Sequence, residues 1–120
     1  MAKTIMVVDD EPDVRNTIKT ALESNGYKVV TAVNGDDCLQ KIGTVKPKPA
    51  LVLMDIMMPG TPVKDIVPKL KGYKVVYISV VRTSEAEKED LMKSKNIKGF
   101  IQKPFDVNDM VKKVQKYAGK

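Results

Sequence analysis

Ala50-Leu51-Val52-Leu53-Met54-Asp55 sets five apolar side chains in unbroken succession and ends on a carboxylate. A strand with one wet face would alternate apolar with polar residues. A run without alternation therefore reads as a strand buried on both faces, the habit of parallel sheets covered by helices. Residues 4–9, 27–33, 74–80 and 97–102 are also short, rich in Val and Ile, and mostly free of alternation.

Helical periods lie between and after these segments. Pro12 sits at a helix start, Val14, Ile18, Ala21 and Leu22 make one face, and Asn25-Gly26 is the stop. Residues 36–42 face inward through Cys38, Leu39 and Ile42, while Val63, Ile66, Val67 and Leu70 describe a third helix that contains Pro68 and should be kinked or shortened by it. A fourth opens at the capping pattern from Ser84 to Glu87 and offers only Ala86, Leu91 and Met92 for burial. It is expected to be the most loosely held element. Asp106 caps the fifth, whose Val107, Met110, Val111, Val114 and Ala118 keep the helical spacing. Strand and helix alternate throughout, which predicts an α/β fold: a (βα)5 doubly wound three-layer sandwich on a five-stranded parallel sheet, filling residues 1–120 as a single domain.

Composition narrows the chemistry. The 120 residues are 42% hydrophobic and 30% charged, ordinary for one compact domain. Cys38 is the only cysteine, which excludes an internal disulfide and suits a reducing compartment. No apolar run approaches the roughly 18 residues of a membrane span, so a soluble, cytoplasmic protein without membrane insertion is expected. Histidine is absent, which excludes His-dependent hydrolases, His-ligated zinc and phosphohistidine carriers, and leaves acid-base work to Asp, Glu, Lys or Tyr. Lys and Arg exceed Asp and Glu by 21 to 15, a net charge of +6 that favours acidic partners or nucleic acid. With no helix-turn-helix to spare and 5% aromatics, no reading element accompanies that charge, and direct nucleic-acid binding is not expected.

Open α/β sheets bind ligands beyond the carboxyl ends of their strands. That rule nominates Asp9, Asp10 and Glu11 after the first strand, Asp55 after the third, Ser79 at the end of the fourth and Lys103-Pro104 after the fifth. Singly, each has a plain explanation: acidic residues decorate helix N-termini, Ser79 can be a satisfied core hydroxyl, and Lys103 one surface lysine among many. Asp55 resists this, because an unpaired charge at the edge of a buried strand is costly. Jointly they form a set. Clustered carboxylates call for a hard cation, and Mg²⁺ prefers oxygen ligands that include a few carboxylates, which Asp9, Asp10 and Asp55 supply. One carboxylate can then attack phosphorus and form an aspartyl phosphate, with Lys103 as a point charge and Ser79 as a hydrogen-bond donor to the phosphoryl oxygens.

In V-V-D-D-E-P, L-V-L-M-D-I-M-M-P-G, the Ser79 strand and G-F-I-Q-K-P-F, the chain resembles the receiver domain of two-component response regulators, of the single-domain type similar to chemotaxis regulators. The resemblance covers the whole chain and brings with it the family's flavodoxin-like strand order 2-1-3-4-5, a well-known example of that order. It implies a phosphorylation-activated switch in which Asp55 takes a phosphoryl group from the phosphohistidine of a sensor histidine kinase or phosphotransfer protein. Asp10, Asp55 and the backbone carbonyl of Met57 would hold Mg²⁺, with Asp9 acting mainly through water. Ser79 and Phe100 match the switch positions, and Lys103-Pro104 the cis peptide. The output surface would be formed by the fourth helix, the fifth strand and the fifth helix, facing a downstream protein target. No enzymatic activity is expected of the chain beyond its own phosphorylation and dephosphorylation, and it is expected to be a monomer when unphosphorylated, with a dimer open to the phosphorylated form.

Departures from the family pattern are Val80 after the switch hydroxyl, Thr61-Pro62-Val63 in place of an Asp-Gly pair, and Lys93-Ser94-Lys95-Asn96 before the fifth strand. Met57 and Val81 would flank a hydrolytic water without binding it, which predicts a persistent phosphoryl group. The rival reading is a Mg²⁺-dependent aspartyl-phosphate phosphatase or phosphotransferase. Such enzymes place a second Asp two residues beyond the nucleophile, where this chain has Met57, and add a cap for which it has no length.

Overall fold

A computed structural model describes residues 3–56, 58–79 and 93–119. Five parallel strands, β1 (Thr4–Val8), β2 (Lys28–Ala32), β3 (Leu51–Asp55), β4 (Val75–Ser79) and β5 (Ile97–Gln102), form one sheet in the order 2-1-3-4-5. Every residue of β1 and β3 is buried, as their unbroken apolar runs require of central strands covered on both faces. The outer strands differ from expectation. β5 alternates buried with exposed or half-buried positions, and β2 is mostly half-buried, because each has a neighbour on one side only.

Two apolar clusters pack the faces. On one, β-strand residues such as Ile5, Leu53 and Ile78 meet Ile18 and Leu22 of α1 (Pro12–Ser24) and Met110 and Val114 of the last helix, α4 (Val107–Ala118). On the other, Met6, Val52 and Tyr77 meet Cys38 and Ile42 of α2 (Gly35–Ile42) and Ile66 of α3 (Val63–Ile66). This is the three-layer sandwich expected. Helix ends follow local chemistry: Pro12 opens α1, Gly26 takes a positive φ just past it, and the Asp106 carboxylate accepts from the N–H groups of Asn108 and Asp109 at the start of α4. Pro68 acts as expected. The α-helical hydrogen bonding of α3 stops at Ile66 and Val67–Leu70 continue as a 3-10 turn. The helix expected from Ser84, with Ala86, Leu91 and Met92, lies outside the described residues, as do Met57, Val80 and Val81. Among the described residues no helix is long and apolar enough to cross a membrane.

Candidate functional site

The sheet's C-terminal edge gathers the nominated side chains. Asp9 follows β1 and is fully withdrawn from solvent. One of its carboxylate oxygens accepts the Glu11 N–H at 2.9 Å and the other accepts Lys103 Nζ at 2.8 Å. Asp55, the last residue of β3, is buried too, with an oxygen 3.4 Å from the same ammonium. Glu11 Oε1 stands 3.9 Å away. Lys103, which leads into a cis bond with Pro104, is only 7% exposed, so it is no ordinary surface lysine.

Burial alone would lower the pKa of this ammonium. The Asp9 hydrogen bond and the charges of Asp55 and Asp9 outweigh that effect and hold it above the usual lysine value, so it stays charged. Around it, carboxylate oxygens of Asp9, Asp10, Glu11 and Asp55 all lie within 4.8 Å of one another. One buried ammonium against four carboxylates leaves negative charge uncompensated. The donor set is all oxygen and hard, with Asp10 and Glu11 open to solvent, which fits a divalent cation such as Mg²⁺ that keeps part of its water.

Backbone register brings the remaining residues to the same edge. Ser79 ends β4 opposite Gln102, one residue before Lys103, while Asp55 pairs with Ile78. Phe100 sits further back on β5, half-buried, with its ring edge-on to Tyr77 at a centroid distance of 5.6 Å. Met57, whose carbonyl was expected on the metal, is outside the described residues. Sequence reading missed Arg15, whose Nη1 donates to the Asp9 carbonyl at 2.6 Å and so fixes the chain where the acidic pair begins. Its signal was position: Arg15 lies one helical turn beyond Glu11 on the same face of α1. Beside Lys103 a groove of about 410 Å³ opens between α1 and α4, with Val14, Thr17, Phe105 and Val107 in its wall.

A 2-1-3-4-5 parallel sheet with clustered carboxylates and a buried lysine over its C-terminal edge defines a doubly wound α/β protein whose acidic pocket suits a hard cation. The chain belongs to the response regulator receiver domain family, whose sequence profile matches residues 5–115. It is 31% identical over 119 residues to the alkaline phosphatase synthesis transcriptional regulatory protein PhoP of Bacillus subtilis, across 95% of this chain and 49% of that protein. It is 28% identical over 119 residues to sporulation initiation phosphotransferase F of Bacillus subtilis, across 98% and 94%. The chain thus spans about half the length of the first of these relatives and nearly all of the second. Among solved structures it is similar to the response regulator protein TrrA of Thermotoga maritima in complex with Mg²⁺-BeF, with a TM-score of 0.77 and 32% identity across 96% of this chain and 98% of that one. A receiver domain is a phosphorylation-activated signalling switch of two-component systems, and this chain is one.

Proposed function

We propose that Asp55 is the phosphoacceptor and that residues 1–120 act as one receiver domain in the cytoplasm. The carrying observation is the Lys103 ammonium, held 2.8 Å from Asp9 and 3.4 Å from Asp55, next to a cluster of oxygen ligands. An Asp55 carboxylate oxygen bonds to phosphorus as the P–N bond of the partner's phosphohistidine breaks, and the electron pair leaves on the imidazole nitrogen. Lys103 uses a donor not taken by carboxylate to bind a phosphoryl oxygen. Ser79, at the end of β4, supplies a hydroxyl to another. Asp10, Asp55 and the Met57 carbonyl would hold Mg²⁺, with Asp9 mainly through water; when bound, the ion neutralises charge gathering on the phosphoryl oxygens. The solved relative in complex with Mg²⁺-BeF supports this reading.

Phosphorylation adds about two negative charges beside Lys103. Movement of Ser79 toward them frees space for Phe100 to turn inward, which shifts a two-state surface made of the helix expected from Ser84, β5 and α4 toward its signalling form. The donor is a histidine kinase or phosphotransfer protein, and the receiver of the signal is a protein target. The chain catalyses no turnover other than its own phosphorylation and dephosphorylation. Incubation with acetyl phosphate or a phosphorylated histidine kinase should label one site in a Mg²⁺-dependent manner, and Asp55→Asn should abolish the label. Labelling that needs no metal, or that persists in Asp55→Asn, refutes the assignment.

A further inference from the structure

The charges of this chain are segregated along the strand direction. Except for Glu23, every described acidic side chain lies at or just beyond the C-terminal end of a strand, or in the cap or first turn of the helix that follows. The opposite edge is lysine. Across the sheet from β2 to β5, Lys28, Lys3, Lys48, Lys74 and Lys95 stand at or within three residues of the start of successive strands, and all are exposed. Strands lie about 4.8 Å apart, so the row extends on the order of 20 Å.

Among the described residues, the ion pairs join Lys41 to Asp37 and Lys103 to Asp9, Glu11 and Asp55, and none includes a lysine of this row. Lys3 Nζ instead donates to the Ala118 carbonyl at 2.8 Å and Lys74 Nζ to the Tyr117 carbonyl at 3.2 Å, while Lys48 Nζ stands 4.6 Å over the Tyr73 ring. Such contacts position the ammonium groups without neutralising them. An ammonium that has donated once keeps two donors for an anion.

We propose that this edge binds the phosphate backbone of a nucleic acid without reading its sequence. The large exposed hydrophobic residues among those described, Val33 and Val107, sit on the other edge, after β2 and at the start of α4. A protein interface needs an apolar or aromatic centre, and a helix lying in a membrane surface needs apolar side chains to insert. The rings on this edge, Tyr73 and Tyr117, are half-buried with the Lys48 and Lys116 ammonium groups over them, so the row offers no open apolar centre and matches the polar, strongly positive character of nucleic-acid interfaces. Lysine meets phosphate as a point charge, so the lack of a base-reading element is no obstacle. A duplex carries one charge per roughly 1.7 Å of axis, enough to offer a phosphate to each ammonium in the row. The acidic edge is repelled, which turns the Asp55 pocket away from the duplex and leaves it open to a phosphodonor.

Fluorescence anisotropy with a labelled 20-base-pair duplex of mixed sequence tests this. Between 50 and 200 mM salt the affinity should fall about 100- to 500-fold, as four to five phosphate contacts require. A variant carrying Lys28→Gln, Lys48→Gln, Lys74→Gln and Lys95→Gln should lose most binding. One carrying Lys19→Gln, Lys64→Gln, Lys112→Gln and Lys113→Gln, equal in net charge, should keep it. Equal losses in the two variants, no wild-type binding at 50 mM salt, or tighter binding to phosphatidylserine vesicles than to the duplex would each overturn the proposal. Acetylation of the wild-type protein's lysines gives a readout that does not depend on how a variant folds. Duplex should protect Lys28, Lys48, Lys74 and Lys95 but not Lys64 or Lys112, and uniform protection overturns the assignment of the edge.

Discussion

Lys103 ties β5 to β1 across the two strands that separate them, its ammonium standing 2.8 Å from Asp9 Oδ2 with both side chains almost wholly withdrawn from water. No backbone hydrogen bond joins these strands, since β3 and β4 lie between them. The ammonium also passes 3.4 Å from Asp55 at the end of β3, so a single side chain compensates two buried carboxylates.

Removing that charge should therefore be costly. Loss of one partner from a buried ion pair typically destabilises by about 3 to 5 kcal/mol, because the other charge is left buried and unpaired. Lys103→Met is expected to lower the free energy of urea unfolding by about 3 kcal/mol when a chelator is present. Saturating Mg²⁺ should recover part of the deficit, since a cation among the same oxygens restores compensation and stabilises the native state by mass action. A change below about 0.5 kcal/mol in chelator would put this pair in the class of surface ion pairs and contradict its burial.

Gly35 is the first residue of α2, where alanine ought to be the better helix former by about 1 kcal/mol. Tertiary packing reverses the preference. A Cβ at this position would stand 2.6 Å from Ile66 Cγ1 and 3.0 Å from its Cδ1, and Ile66 is fully buried, so it can give way only by disturbing the core around it. Gly35→Ala is expected to destabilise by about 1 to 3 kcal/mol, the usual range for overpacking. Gly99→Ala should be milder, because the obstructing atoms there belong to the end of the half-buried Tyr117 side chain, which can move. Equal Tm losses in the two variants would refute the distinction.

Much of the scaffold was legible because burial on both faces writes itself as unbroken apolar runs, and β1 and β3 are the clearest cases. Pro68 and Asp106 were legible for local reasons, a missing donor and a capping carboxylate. The site was legible only as a set. Lys103 was nominated by its place after the fifth strand and by G-F-I-Q-K-P-F, but its burial was not legible there, because it arises from residues as far as 94 positions away. Arg15 was missed for a different reason: its partner, six residues away, is a backbone carbonyl, which no side-chain pattern announces and which the turn from β1 into α1 brings near. The lysine row was hidden too, because net charge records how many lysines there are and not that five of them stand at strand starts.

The start of α2 should carry an acid-sensitive share of stability. Asn34 Oδ1 accepts the Asp37 N–H at 2.8 Å, and Asp37 Oδ2 accepts the Val33 N–H at 3.0 Å and pairs with Lys41 at 3.0 Å. The Val33 hydrogen bond, followed by Lys41, holds the Asp37 carboxyl below its ordinary 3.8 against the opposing effect of burial. A depressed folded value means stability that is fully present above the unfolded value and is lost as pH falls through the folded one. Asp37→Asn should then cost about 1 kcal/mol at neutral pH and become indistinguishable from wild type below the carboxylate range. Urea midpoints for both proteins across pH 2 to 7 check this, and a gap that persists unchanged into acid refutes it.

Cys38 tests the inertness of the face that α2 covers. Its thiol is fully buried among Met6, Val8, Ala32 and Ile66, and burial, with a smaller contribution from the Asp37 charge, pushes its pKa up to about 12. Only the thiolate attacks a disulfide or an alkylating agent, and at pH 8 such a thiol is ionised in roughly 1 molecule in 10,000. Burial adds a steric barrier, so modification of the native protein has to wait for local or global opening. Reaction with a colorimetric disulfide reagent at pH 8 should run at least about 1000-fold slower than with free cysteine and accelerate with urea as the unfolded population grows. A native rate within 10-fold of free cysteine would show that α2 lifts from the sheet without global unfolding.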